Sequence, residues 1–225
     1  MLILHIANRN YSSWSLRPWV LMRERGIPFE ERLTPFGEHS DFRRFSPSGK
    51  VPCLVDGGTV VWDSLAITEY LAERFPGVWP ADRAARAFAR CAAAEMHSGF
   101  GALRTSCSMS CGVRVRLNDT PPDLAADLAR LDELWNDGLA LFGGPYLAGA
   151  AFTAVDAFFA PVAFRLQTYS PTVSAAAQAY AGRLLALPSM REWYEAALAE
   201  PWRDAAHEAD MLARGALLAD LRAGA

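Results

Sequence analysis

The 225-residue chain is almost without lysine: Lys50 is the only one, and arginine supplies the rest of its 22 basic residues. It also lacks a Cys-x-x-Cys pair. The four cysteines, Cys53, Cys91, Cys107 and Cys111, have no nearby histidines to complete a zinc pattern, so they are predicted to be free, partly buried thiols, with no metal site. No apolar run is long enough to span a bilayer, and the short N-terminal one, followed at once by polar residues, does not resemble a signal peptide. Neither sign of charge is in excess. A formal net charge of −3 removes any broad electrostatic case for a nucleic-acid or anionic-membrane partner. There is no internal repeat, and no low-complexity tract beyond an enrichment in alanine. These absences predict a soluble cytoplasmic protein.

Apolar residues make up 52% of the chain and include seven tryptophans, which excludes disorder and supplies a core for one large or two small domains. Leu2 to Ala7 has the length of a buried strand, and Leu16, Trp19, Val20 and Met22 continue into a helical pattern stopped by Gly26 and Pro28. Phe29 to Leu33 reads as a second strand. The resulting βαβ unit places the start of its helix at the carboxyl end of parallel strands, where α/β folds bind ligands. Val51 to Val55 and Thr59 to Trp62 flank Asp56-Gly57-Gly58, a hairpin signal because glycine accepts positive φ. A helix from Asp63 to Arg74, capped by Asp63 or Ser64, follows. This element order predicts an α/β thioredoxin-like domain over residues 1–75. The breaker-rich residues 76–81 form a linker, and residues 82–225 are predicted to be all-α, with helices near 82–105, 122–142, 155–168, 174–187, 189–198 and 202–221. Cys107 to Thr120 reads as a polar interruption.

Three stretches carry chemistry. Tyr11-Ser12-Ser13-Trp14-Ser15-Leu16-Arg17-Pro18-Trp19 turns the first strand into the first helix. Helix-start N–H groups have no internal partner and favour a bound anion such as a thiolate, by about 0.3 to 1 kcal/mol. Proline is harmless in the first turn but costs about 3 kcal/mol deeper in a helix, so Ser15 or a residue just before it is the expected N-cap, with Ser12 and Ser13 in the approach loop. The serines either point hydroxyls at a ligand or only cap and turn the chain. In Ser46-Pro47-Ser48-Gly49-Lys50-Val51-Pro52-Cys53-Leu54 a proline opens a strand. A trans Pro52 is an ordinary strand start; a cis Val51-Pro52 bond turns the Val51 N–H and C=O outward, where they hold an extended peptide like an added strand. Asp63-Ser64 either caps its helix or binds an amino-acid head group, the hydroxyl and orphan N–H groups taking the carboxylate and Asp63 the ammonium.

In this order and spacing the three stretches resemble the N-terminal domain of the cytosolic glutathione S-transferases. The Ser12-Ser13-Trp14-Ser15 run with Arg17 is similar to the Ser-Ser-Cys-Ser motif of the zeta class and its bacterial relatives, with Trp14 where that motif has cysteine. The resemblance extends to the helical domain, where Thr153-Ala154-Val155-Asp156 is similar to the family's capping box. It implies the glutathione S-transferase fold, a serine-type, zeta-like enzyme, glutathione as co-substrate, no metal and a homodimer. The glutathione cysteine would pair with the Val51 backbone beside Pro52. Its γ-glutamyl head would lie at Asp63 and Ser64, its glycyl carboxylate near Lys50, and its sulfur at Ser12 or Ser13, with Tyr11 and Trp14 lining the pocket. A thiol of pKa about 8.5 is only a few per cent ionised at neutral pH, and one hydroxyl donor plus a helix start lowers that value by roughly one to two units. The small electrophilic second substrate would contact the first helix of the second domain, where His97 and Arg104 are the candidates; an interface histidine and a solvated arginine are the plainer alternatives. Two rival functions remain open, glutathione-dependent peroxide or disulfide reduction or isomerisation, and a non-catalytic interaction protein with this fold.

Overall fold

A computed structural model describes residues 1–37 and 40–222; the last three residues of the expected second domain lie outside the described residues. Strand β1 (Leu2–Ile6) has Leu2, Leu4, His5 and Ile6 buried, and it takes a central place in the sheet. It pairs in parallel with β2 (Phe29–Leu33) and antiparallel with β3 (Cys53–Asp56), so that Leu4 faces Glu31 on one side and Leu54 on the other. Strand β4 (Thr59–Trp62) returns from β3 through a turn in which Gly57 takes φ +59°, and the sheet order is β2-β1-β3-β4. Helices α1 (Ser13–Glu24) and α2 (Ser64–Ala72) complete the thioredoxin-like domain.

Helix α1 starts earlier than its sequence suggests. Ser12 is the N-cap and Ser13 the first helical residue, which puts Pro18 beyond the first turn. Pro18 has no N–H to give the Trp14 carbonyl, but Leu16, Trp19, Val20, Leu21 and Met22 are all buried on this helix, and their packing outweighs one missing bond. The turn is closed from both sides, since Ser12 N–H donates to the Asn8 carbonyl at 2.8 Å and Leu16 N–H to the Ser12 carbonyl at 3.2 Å.

The second domain is helical, built from α3 (Arg83–Ser98), α4 (Gly101–Ser106), α5 (Pro122–Phe142), α6 (Ala154–Tyr169), α7 (Ala175–Leu185), α8 (Pro188–Ala199) and α9 (Ala205–Arg214). The expected helix over 82–105 is broken after Ser98. Phe100 is left-handed, and a Cβ on Gly99 would lie 2.8 Å from the Glu95 carbonyl oxygen. A second difference is a two-stranded antiparallel ribbon of β5 (Val113–Leu117) and β6 (Gly215–Asp220), with Val113 opposite Asp220 and Leu117 opposite Gly215. The expected helix over 202–221 therefore stops at Arg214, and the expected interruption holds a strand. The reason is a period of two: Val113 and Val115 are buried while Arg114 and Arg116 are not.

Helix α6 is the centre of this domain and is buried along nearly its whole length. Thr153 and Asp156 form a capping box at its start, in which Thr153 N–H donates to Asp156 Oδ2 at 2.9 Å. The other carboxylate oxygen accepts from Leu147 N–H at 3.1 Å and from the Tyr180 hydroxyl at 2.8 Å. The domains are tied together at the end of β1. Trp193 donates its indole N–H to the Arg9 carbonyl at 3.0 Å, and the buried Glu200 accepts from Arg9 N–H at 2.8 Å. Among the described residues no helix is long and apolar enough to cross a membrane.

Candidate functional site: two cavities divided by Trp14

The turn that leads out of β1 delivers Ser12, buried, to the start of α1. Its hydroxyl does not cap the helix. It donates instead to Ser15 Oγ at 2.7 Å, and Ser15 Oγ also accepts from Ala7 N–H at 3.4 Å. Ser13 is half-buried and has a different neighbour, since Arg165 Nη2 donates to its Oγ at 3.4 Å. Both serines stand at the start of α1, where N–H groups without an internal partner favour negative charge.

Trp14, together with Lys50 and Val51, stands between two cavities of about 420 and 520 Å³ and lines both. The smaller is lined by Ser48, Lys50, Val51, Pro52, Asp63 and Ser64, with Trp62 at its side. The Val51-Pro52 bond is cis, and Val51 lies outside the β-ladder, which begins at Cys53. Asp63 holds φ +77°, a conformation that costs a non-glycine residue about 1 to 3 kcal/mol and that clusters at ligand sites. Its Oδ1 caps α2 by accepting from Leu65 N–H at 2.8 Å, and its Oδ2 lies 3.5 Å from His97 Nε2. Ser64 is buried, and its Oγ accepts from Arg17 Nη1 at 3.4 Å. Arg17 lies against the Trp14 ring, 4.2 Å from its centroid, and donates to the Met96 carbonyl at 3.4 Å. Burial, helped by Arg165 and Arg104, pushes its pKa down to about 9, which leaves it cationic at neutral pH.

The larger cavity draws on both domains. Tyr11, Ser12, Ser13, Lys50 and Val51 come from the first, and Arg104, Ser108, Arg165, His207 and Asp210 from the second. His207 stacks on Tyr11 and Phe36, with ring centroids 5.0 and 5.1 Å away, and its Nδ1 lies 2.6 Å from Asp204 Oδ2. The Tyr11 hydroxyl donates to Glu208 Oε1 at 2.5 Å and accepts from Arg222 Nη1 at 3.1 Å. Burial and the Glu208 carboxylate raise its pKa, so it is a fixed wall rather than a source of protons. Arg222 is itself buried and pairs with Glu208 and Asp220, which latches the β5–β6 ribbon over the corner. Gly112 makes room for this latch, because a Cβ there would lie 2.2 Å from Arg222 Cγ.

His97 is the expected site residue that the fold moves elsewhere. It lines neither cavity, standing edge-on behind Trp14 with ring centroids 5.3 Å apart. Helix α3 turns it toward Asp63, and burial lowers its pKa against the opposing pull of that carboxylate. The break after Ser98 then carries Arg104 onto α4 and into the larger cavity.

The profile described as glutathione S-transferase, N-terminal domain, matches residues 11–74, and the corresponding C-terminal domain profile matches residues 117–196. Human glutathione S-transferase theta-1 is 32% identical over 216 residues, covering 87% of this chain and 84% of that protein. The chain belongs to the glutathione S-transferase family. Dichloromethane dehalogenase of Methylorubrum extorquens is 44% identical over 61 residues, a match that spans 25% of this chain and 21% of that enzyme. A solved Burkholderia glutathione transferase homologue with bound glutathione shares the fold with a TM-score of 0.66 at 23% identity, covering 87% of this chain and 97% of that one.

Several lining residues of this glutathione S-transferase were missed at the sequence level, chiefly Phe36, Phe42, Arg165, His207 and Asp210. Arg165 alone left a signal, as the single charge in the apolar run from Ala157 to Leu166. No cysteine lines either cavity. Burial raises the pKa of Cys53, Cys107 and Cys111, that of Cys107 to about 11, and so keeps these thiols protonated.

Proposed function

We propose that the chain is a serine-type glutathione transferase that binds glutathione in the smaller cavity and presents its thiolate to an electrophile in the larger one. The observation that carries the reading is the Ser12 hydroxyl at the N-cap of α1, beside the Trp14 partition. A hydroxyl both donates and accepts. Ser12 turns its O–H from Ser15 to the sulfur, while Ser15 donates back to Ser12 Oγ and holds it in place. The thiol proton leaves to solvent; the sulfur forms a C–S bond, and the leaving group departs with the electron pair of the bond that breaks. Ser12 is a donor to the anion and never a nucleophile. Ser13 keeps Arg165 in position.

The geometry supports a glutathione bound as an added strand along the Val51 backbone, with its γ-glutamyl carboxylate at Ser64 and the start of α2. Its ammonium falls at Asp63 Oδ2 and its glycyl carboxylate at Lys50. Serine-type chemistry fits a corner without cysteine; a zeta-like subclass rests on the serine run alone, and the full-length relative named by class is theta. The partly exposed Val60 and Trp62 on edge strand β4 support a homodimer, and four free thiols support a reducing, cytoplasmic setting. Retention on glutathione-agarose, followed by parallel assays with chlorodinitrobenzene and an organic hydroperoxide, tests the reading. Retention with conjugation is expected. Retention with hydroperoxide reduction alone would replace transfer by a peroxidase function, and failure to be retained would overturn glutathione binding itself.

A further inference from the structure

Arg165 stands on the most buried helix of the protein, 4% exposed, and faces the larger cavity. A buried charge is expensive unless it is paired. Its Nε donates to the Cys107 carbonyl at 2.8 Å and its Nη2 to Ser13 Oγ at 3.4 Å, both neutral acceptors, and among the described residues it forms no ion pair with a carboxylate. Burial pushes its pKa down to about 10, so it stays cationic at neutral pH. Arg104 and Lys50 line the same cavity, against one lining carboxylate, Asp210. The whole chain has a formal charge of −3, so this excess of positive charge is local. Glutathione answers Lys50 but neither arginine, because the reading above uses its two carboxylates at Ser64 and Lys50. The same cavity is lined by flat aromatic rings, Phe36 and Tyr11 stacked on His207, and Trp14, whose centroid lies 5.5 Å from the Arg104 guanidinium.

We propose that the larger cavity selects electrophiles carrying a carboxylate on a flat conjugated or aromatic frame, anchored by Arg165 with Arg104 as a second contact. This rests on the transferase reading of the same site. A guanidinium offers a planar fork that matches a carboxylate, and its place beside Ser13 holds the anchored acid within reach of the glutathione sulfur. The rival role for Arg165 is on the thiolate itself. The two roles separate experimentally, because help to the thiolate serves every electrophile equally.

The test compares kcat/KM for a para-chloro-dinitrobenzoate and its primary amide at saturating glutathione. In both, the sulfur bonds to the ring carbon that bears chlorine, and chloride leaves with the electron pair of the broken C–Cl bond. The parent protein is expected to prefer the acid, and Arg165→Met to reduce that preference by about 10-fold to 150-fold, the loss of one charge-assisted contact. Arg104→Gln is expected to reduce it by a smaller factor. An unchanged preference in Arg165→Met overturns the proposal. So does an equal loss on both electrophiles with a raised pKa of the bound thiol, which would assign Arg165 to the thiolate. Should Arg165→Met fail to fold, inhibition of the parent settles the question: benzoate competing against the amide electrophile no better than benzamide overturns the proposal. A parent that binds no glutathione by calorimetry, or turns over neither electrophile, overturns the transferase reading beneath it.

Discussion

The two cavities on either side of Trp14 are built in different ways. Apart from Trp14, the smaller one comes from a single stretch, Ser48 to Ser64, and joins main-chain groups at Val51 and the start of α2 to the side chains of Lys50, Asp63 and Ser64. The larger one is assembled from residues as far apart as Tyr11 and Asp210, and works through side chains, guanidinium groups and stacked aromatic rings together. Backbone groups are the same whatever the residue, and a compact set of neighbours that includes them suits a ligand that does not vary. A wall of side chains changes with every substitution, and suits the partner that does.

The largest expected effect tests whether the scaffold behind both cavities is separable from them. Asp156 lines neither cavity, yet it accepts from Thr153, Leu147 and Tyr180. Each buried donor left unpaired costs about 1 to 3 kcal/mol, so Asp156→Ala should lower stability by about 3 kcal/mol or more while the folded protein keeps its glutathione affinity. Denaturation and calorimetry on the same preparation decide this. Undiminished stability with lost binding would place Asp156 in the site.

The next effect belongs to the smaller cavity alone. Ser64→Ala removes a charge-assisted hydrogen bond to the γ-glutamyl carboxylate and should weaken glutathione binding by about 10-fold to 150-fold, with little change in the preference between electrophiles. Equal affinity in the two proteins would remove Ser64 from the site. Third, Ser12→Ala should raise the thiol pKa of bound glutathione by about one unit, a loss of about 10-fold in thiolate well below that pKa, and Ser13→Ala should do less. Titration of the bound thiol by its thiolate absorbance checks the order. A pKa that moves only in Ser13→Ala would exchange the two roles.

The smallest effect concerns the outer wall of the larger cavity. Burial pushes the Glu208 carboxyl up, but its bonds to Arg222 and Tyr11 outweigh that and leave it below the ordinary value of 4.5. The Arg222 bond likewise holds Asp220 below 3.8. A depressed carboxyl stabilises the fold above its unfolded value and loses that contribution as pH falls through the folded one. The latch should therefore be whole at neutral pH and release below about pH 4, at a cost of about 1 kcal/mol. Hydrogen exchange across β5 and β6 in neutral and acid buffer should show this step in the parent and not in Arg222→Met. An acid step that survives Arg222→Met would shift the cause to another carboxylate.

The smaller cavity was largely legible in the sequence because its parts are adjacent and follow from local rules. A proline at a strand start, glycines at a turn and an Asp-Ser pair at a helix start each state their geometry without help from the rest of the chain. Helix α1 was misplaced because Pro18 is a local signal that tertiary packing overrides. The β5–β6 ribbon went unseen because Val113 to Leu117 is short and its partner lies about a hundred residues away. The larger cavity was mostly illegible for the same physical reason: Phe36, His207 and Asp210 acquire a role only through contacts made by the finished fold. Arg165 is the exception, since a lone charge within an apolar helix calls for an explanation before any contact is known.

The latch also sets a clock. Arg222 and Tyr11 are 211 positions apart, so at about 5 to 20 residues per second a ribosome adds one roughly 10 to 40 s after the other. The thioredoxin-like sheet, complete by Trp62, emerges early in that interval, whereas the outer wall of the larger cavity does not yet exist. A nascent chain thus passes through a stage at which every residue of the smaller cavity has been made and the outer wall of the larger one has not.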